Sequence, residues 1–75
     1  MSQRTLVTGA ARGIGGAIAR HLHERGHYII GVDIAWKDRT HVDLALDADL
    51  TDPDQLAIAL RDAGHLTAVI ANAAV

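Results

Sequence analysis

Apolar positions along this 75-residue chain alternate between two textures. Short unbroken runs, Thr5-Leu6-Val7-Thr8, Tyr28-Ile29-Ile30-Gly31-Val32 and Thr67-Ala68-Val69-Ile70-Ala71, predict strands buried on both faces. A shorter strand falls within residues 44–48. Between the runs the period changes. Ile14, Ile18 and Leu22 recur at four-residue steps with Ala17 beside them, which predicts a helix over residues 13–25 stopped by Gly26. A second helix over residues 53–63 has Leu56, Ala59, Leu60 and Ala63 as its inner stripe. Its start is well marked, with Asp52 as N-cap, Pro53 at N1, Gln55 closing a capping box, and Gly64 ending it. The stretch "AWKDRTH" is polar and aperiodic, and shorter than the roughly dozen residues of a helical crossover, so it reads as a loop. The resulting order, βαβ-loop-βαβ, predicts an α/β fold: a doubly wound parallel sheet of about four strands in order 3-2-1-4, one helix on each face.

The chemistry concentrates at residues 6–18, "LVTGAARGIGGAI", where a strand feeds a glycine-rich turn into a helix start. First-turn amides lack intrahelical partners and the helix dipole favours negative charge, so this is a ready anion site. Glycine lets a pyrophosphate approach the backbone without meeting a Cβ. A P-loop is excluded, because Gly16-Ala17 stands where its Lys-Ser/Thr belongs. A Rossmann-like dinucleotide site fits better. Asp33 ends the next strand, where a carboxylate can accept from the adenosine ribose hydroxyls.

Gly9, Gly13 and Gly15 give G-x-x-x-G-x-G rather than the usual G-x-G-x-x-G. With Thr8 in front, "TGAARGIG" resembles the cofactor loop of the short-chain dehydrogenase/reductase family. Asp33, followed by Ile34, matches that family's acidic residue after the second strand. "DLTD" at residues 49–52 looks like its adenine-contacting segment, in which Asp49 accepts from the adenine amino group and Leu50 lines the ring. "ANAA" at residues 71–74 sits where the family has Asn-Asn-Ala-Gly. There Asn72 would brace neighbouring strands, and Ala73 and Ala74 would pass near the nicotinamide ribose. The resemblance thus implies a cofactor site of Thr8, Gly9, Arg12, Gly13, Ile14, Gly15, Asp33, Ile34, Asp49, Leu50, Asn72, Ala73 and Ala74. Ala71 and Ala74 depart from the family pattern, and by the resemblance Ala74 adds a methyl where the family backbone passes near that ribose.

The resemblance implies NAD or NADP as cofactor. Asp33 favours NAD, since its charge repels a 2′-phosphate, and Ile34 stands where NADP users often place arginine. Arg12 argues the other way, whereas Lys37 and Arg39, further cations in an acidic, aperiodic stretch, are better read as solvated loop residues. On balance the sequence favours NAD. Alternative structural readings stand beside the functional ones. Asp49 lies in the acidic run "DLALDADLTDPD" and reads equally as a solvated carboxylate. Trp36 reads as an adenine cover or as a partly exposed packing residue.

Charge and composition narrow the rest. The formal net charge is −2, with no basic patch that points to nucleic acid or an anionic membrane surface. No signal segment or membrane span is evident. The absence of cysteine removes disulfides and thiolate chemistry and leaves a cytoplasmic location unopposed. "HERGH", residues 23–27, matches the H-E-x-x-H zinc signature literally, yet Gly26 falls inside it and a strand begins at Tyr28. Solvated histidines at a helix end are the better reading.

By resemblance, the family transfers hydride between the nicotinamide cofactor and an alcohol or ketone, using a Tyr-x-x-x-Lys pair and an upstream serine. Here the one tyrosine is Tyr28 with Val32 four residues on, the one lysine is Lys37, and the one serine is Ser2. No acid/base pair of that kind can be assembled. Residues 1–75 are therefore expected to be the N-terminal dinucleotide-binding part of a longer oxidoreductase, inactive alone, with any homo-oligomer belonging to the complete enzyme. The alternatives are a non-catalytic dinucleotide-binding module and an inert fragment. Without the later strands of the complete enzyme, the strand at residues 67–71 leaves an uncovered apolar edge.

Overall fold

The fold is taken from a computed structural model. It describes residues 3–11, 13–34, 36 and 41–71. The elements are β1 (Arg4–Thr8), α1 (Gly13–Glu24), β2 (Tyr28–Asp33), β3 (Leu44–Asp47), α2 (Pro53–Ala63) and β4 (Ala68–Ile70). The strands form one sheet in the order β3-β2-β1-β4, and each adjacent pair is parallel. The predicted class, strand order and elements are thus present. Expected strand 67–71 is shorter, at Ala68–Ile70, and Val69 is 58% exposed. Most of the "AWKDRTH" loop lies outside the described residues.

Register places Leu6 beside Ile30 and Ile30 beside Leu44, and these residues face α2. Their cluster holds Leu6, Ile30, Val32, Ala48, Ala59 and Ala63. Alternate residues face α1, where Val7, Ala10, Ala19 and Ile29 form a second cluster joined by Leu22, Trp36, Val42 and Ile70. β1 and β2 therefore read as near-continuous apolar runs because both their faces are covered.

Two helix stripes differ from expectation. On α1 the buried positions are Gly15 and Ala19, whereas Ile14 is 71% exposed and Ile18 and Leu22 are half-buried. Small residues lie against the sheet so that the backbones come close, and the larger side chains move to the flank. On α2 Ala59 and Ala63 are buried while Leu60 is 44% exposed, because residue 60 lies a full turn-fraction of about 100° round the helix from 59.

The helix ends are closed by identifiable groups. His27 N–H donates to Leu22 C=O and Gly26 N–H to His23 C=O, the two bonds of a Schellman motif. The zinc-like motif is thereby split, with His23 in the last turn of α1 and His27 beyond it, its Nδ1 3.4 Å from Thr5 Oγ1. At α2, Asp52 Oδ1 accepts from Asp54 N–H as expected of an N-cap. Gln55 does not complete the capping box: its Oε1 accepts the Asp49 amide at 2.8 Å, and the Asp52 amide turns to Asp49 C=O. At the far end of α2, Arg4 of β1 donates to Ala63 C=O and His65 C=O and lies 4.4 Å over the Tyr28 ring.

Candidate dinucleotide site

In a parallel sheet all strand carboxyl ends share one edge, and the glycine turn leaves β1 at that edge. Gly9 has φ 66° and Gly13 has φ 59°, left-handed conformations that glycine adopts without strain. The turn hangs from the end of β2. Gly9 N–H donates to Val32 C=O at 2.8 Å, and Ala10 N–H reaches the same oxygen at 3.4 Å. Ala11 N–H donates to Asp33 Oδ2 at 2.9 Å. Asp33 is 6% exposed, and its other oxygen accepts Ile34 N–H at 2.7 Å. An ionised carboxylate has about four acceptor sites, so roughly two remain after these bonds.

The third strand brings up the other predicted acid. Asp33 pairs with Asp47 in the β2–β3 register, and Ala48 N–H donates to Asp33 C=O at 3.0 Å. Asp49 therefore follows directly beside the end of β2. Its Oδ1 accepts the Thr51 hydroxyl at 2.6 Å and the Thr51 amide at 2.9 Å. The hydroxyl first, and then the amide, hold the Asp49 carboxyl below its ordinary value. Leu50 is half-buried and packs against the core on the α2 side.

The predicted residues thus gather unevenly. Gly9, Gly13, Gly15, Asp33 and Ile34 surround one turn, with Asp49 and Leu50 on the adjacent strand end. Ile14 and Ile34 are the most exposed large apolar side chains of the described residues, at 71% and 59%. Thr8 is buried, and its hydroxyl donates to Ile70 C=O at 3.4 Å. Arg12, Asn72, Ala73 and Ala74 lie outside the described residues. Trp36 is a packing residue: its indole N–H donates to Leu46 C=O at 3.2 Å, and its ring joins the α1-side cluster. Sequence reasoning missed the amide of Ala11 as the partner of Asp33, because a backbone donor has no residue signature. It also passed over Gly31, whose place inside a buried strand is a known signal of close approach.

These residues fit a dinucleotide. The Cβ position at Gly13 has nothing within 4 Å, so the turn presents open backbone rather than a filled surface. The first turn of α1 carries no acidic side chain to oppose an anion. Fold and turn together define a Rossmann-like α/β unit. Residues 5–75 match the model of the NAD dependent epimerase/dehydratase family, and the chain belongs to that family.

Relatives agree with this placement. The chain is 37% identical to the cis-4-hydroxycyclohexanecarboxylate dehydrogenase of Sinomonas cyclohexanicum, over 93% of this chain and 33% of that protein. It superposes on the TT0495 protein of Thermus thermophilus with TM-score 0.79 and 31% identity, covering 100% of this chain and 34% of the other. The ligand-free aldohexose dehydrogenase of Thermoplasma acidophilum gives TM-score 0.77 at 28% identity, covering 99% and 30%. A short-chain dehydrogenase/reductase from Burkholderia vietnamiensis, at 22% identity and TM-score 0.72 over 95% of this chain and 39% of that one, shares the fold. The chain spans about a third of the length of the relatives it matches. Its resemblance to short-chain dehydrogenases/reductases therefore stands. Among the described residues no helix is long and apolar enough to cross a membrane.

Proposed function

We propose that residues 1–75 are the NAD-binding portion of a short-chain oxidoreductase acting on an alcohol or ketone. The observation that carries this reading is the buried Asp33 carboxylate, tied to the glycine turn through Ala11 and set at the carboxyl end of β2. Backbone of Gly9 to Gly15, with Arg12 and Ile14, receives the pyrophosphate. The remaining acceptor sites of Asp33 receive the adenosine ribose hydroxyls, and its charge disfavours a 2′-phosphate, so NAD is preferred. Ile34, Leu50 and Asp49 border the adenine. The resemblance assigns Ala73 and Ala74, which lie outside the described residues, to the nicotinamide half.

A bound nicotinamide cofactor would supply hydride transfer; these residues bind and orient it. Tyr28 cannot serve as the acid or base there. It opens β2 at the opposite end of the sheet, beneath the Arg4 guanidinium. Proton transfer belongs to groups outside this segment, and the substrate follows from them. Two dehydrogenase relatives whose names include a hydroxy acid and a sugar support the hydroxyl-bearing substrate class. Calorimetric titration with NAD and with NADP tests the reading. Tighter NAD binding by the wild type, with the preference narrowed in Asp33→Ala, is the expected result. A folded wild-type chain that binds neither would overturn it.

A further inference from the structure

The crossover from β2 to β3 has only residues 34–43 in which to join two parallel strands. Such a connection normally takes a dozen or more residues and covers the sheet with a helix. Here Trp36 lies over part of that face. A Cβ built on Gly31, in the middle of β2, would stand 2.7 Å from Trp36 Cη2, 2.9 Å from Val42 Cγ1 and 3.0 Å from Ala10 Cβ. Three segments therefore converge over one missing side chain: the crossover, the approach to β3, and the glycine turn. The indole is anchored at its other end, where Nε1 donates to Leu46 C=O on β3.

Ala10 is the link to the site. It is 5% exposed and belongs to the same cluster as Trp36. Its neighbours Gly9 and Ala11 make the bonds to Val32 C=O and the Asp33 carboxylate that suspend the turn from β2. Above, the turn is fixed by hydrogen bonds. Below, the Ala10 methyl borders the same space over Gly31 as the indole.

We infer that Trp36 is a positioning residue for the dinucleotide: its ring backs the Gly9–Ala11 turn through Ala10 and sets the height at which the turn amides meet the pyrophosphate. This rests on the functional reading above. It assigns Trp36 a role in affinity without contact to the cofactor. The anchored ring excludes alternative turn positions, so less ordering remains to be done when the ligand binds. A smaller or unanchored ring leaves the turn free to settle toward Gly31.

Trp36 is the single tryptophan, so all tryptophan emission comes from this position. ADP-ribose is the probe, since it carries both the pyrophosphate and the adenosine ribose and lacks the nicotinamide. Titration into the wild-type chain should shift or quench the Trp36 emission, saturating with the calorimetric Kd. Trp36→Phe keeps a ring over Gly31 and loses the bond to Leu46; it should bind ADP-ribose about tenfold more weakly, roughly 1.4 kcal/mol. Its circular dichroism should remain that of the wild type. Unchanged emission at saturation, or equal affinity in Trp36→Phe, would overturn the inference while leaving dinucleotide binding intact. If Trp36→Phe does not fold, the wild-type emission decides. Failure of the folded wild type to bind ADP-ribose would instead overturn the functional reading, and this inference with it.

Discussion

Asp33 and Ala11 are joined by a 2.9 Å hydrogen bond across 22 residues of sequence, from the backbone of the glycine turn to a buried carboxylate on the next strand. The bond makes one group serve two ends. Asp33 ties the turn to the end of β2, and its other oxygen accepts the Ile34 amide. Under the proposed function, loop geometry and cofactor choice would be coupled through this single side chain.

Replacing Asp33 should cost stability as well as specificity. Asp33→Ala leaves the Ala11 and Ile34 amides without their acceptor, a loss of about 1–3 kcal/mol where such groups are buried. Asp33→Asn keeps the volume but offers only one accepting oxygen, so its stability should fall between wild type and Asp33→Ala. Urea unfolding of both variants checks the order.

Gly31→Ala should destabilise the packing beneath the glycine turn. Its methyl would meet Trp36, Val42 and Ala10 at 3.0 Å or less, and overpacking of this kind costs about 1–3 kcal/mol. In a domain of this size that lowers Tm by several degrees, roughly 4–8 °C per kcal/mol. In a Trp36→Leu background the same substitution should cost less, since the nearest obstacle has gone. Thermal melts of the four-member cycle measure the coupling.

Arg4 ties the start of β1 to the end of α2 at the sheet edge opposite the site. Arg4→Met removes the bonds to Ala63 C=O and His65 C=O and the contact with Tyr28. Part of this arrangement is exposed, so about 1–2 kcal/mol is the expected loss. Arg4→Lys should not restore it, because an ammonium cannot serve two divergent carbonyls and stack on a ring together. Cofactor affinity should be unchanged in either variant that remains folded.

Asp49 should titrate below the ordinary carboxylate value of about 3.9. A carboxyl depressed in the folded chain contributes stability that is present above its unfolded value and is lost as pH falls through the lower folded value. The Asp49–Thr51 turn is therefore intact at neutral pH and weakens only in acid. Carbon-detected NMR of the side-chain carboxyl should show this low midpoint, and Thr51→Val, which deletes the hydroxyl bond, should raise it.

Much of this was legible in the sequence for physical reasons. Buried parallel strands need apolar side chains on both faces, so Leu6-Val7 and Ile29-Ile30 announce themselves. Pro53 after Asp52 fixes a helix start through its own backbone geometry. The glycine spacing and Asp33 locate the candidate site because a tight turn and a strand-end carboxylate are both local signals. What stayed hidden depended on distant partners. Gln55 has the spacing of a capping box, yet the Asp49 amide claims its oxygen. Ile14 has helical phase with Ile18 and Leu22, yet the small residues Gly15 and Ala19 win the sheet face because they allow closer approach. Trp36 sits in a polar stretch, and only the register that sets Gly31 beside it reveals its place.

The most direct measurement is an NMR titration of the isotope-labelled 75-residue chain with NAD, following every backbone amide. Saturable shifts are predicted at Gly9, Ala10, Ala11, Gly13 and Gly15, at Asp33 and Ile34, and at Asp49 and Leu50. Amides at the opposite edge, Arg4, Tyr28 and Gly64 to Thr67, should stay still. A folded chain whose amides do not respond to NAD, or respond only at that opposite edge, would contradict the assignment of this turn as a dinucleotide site.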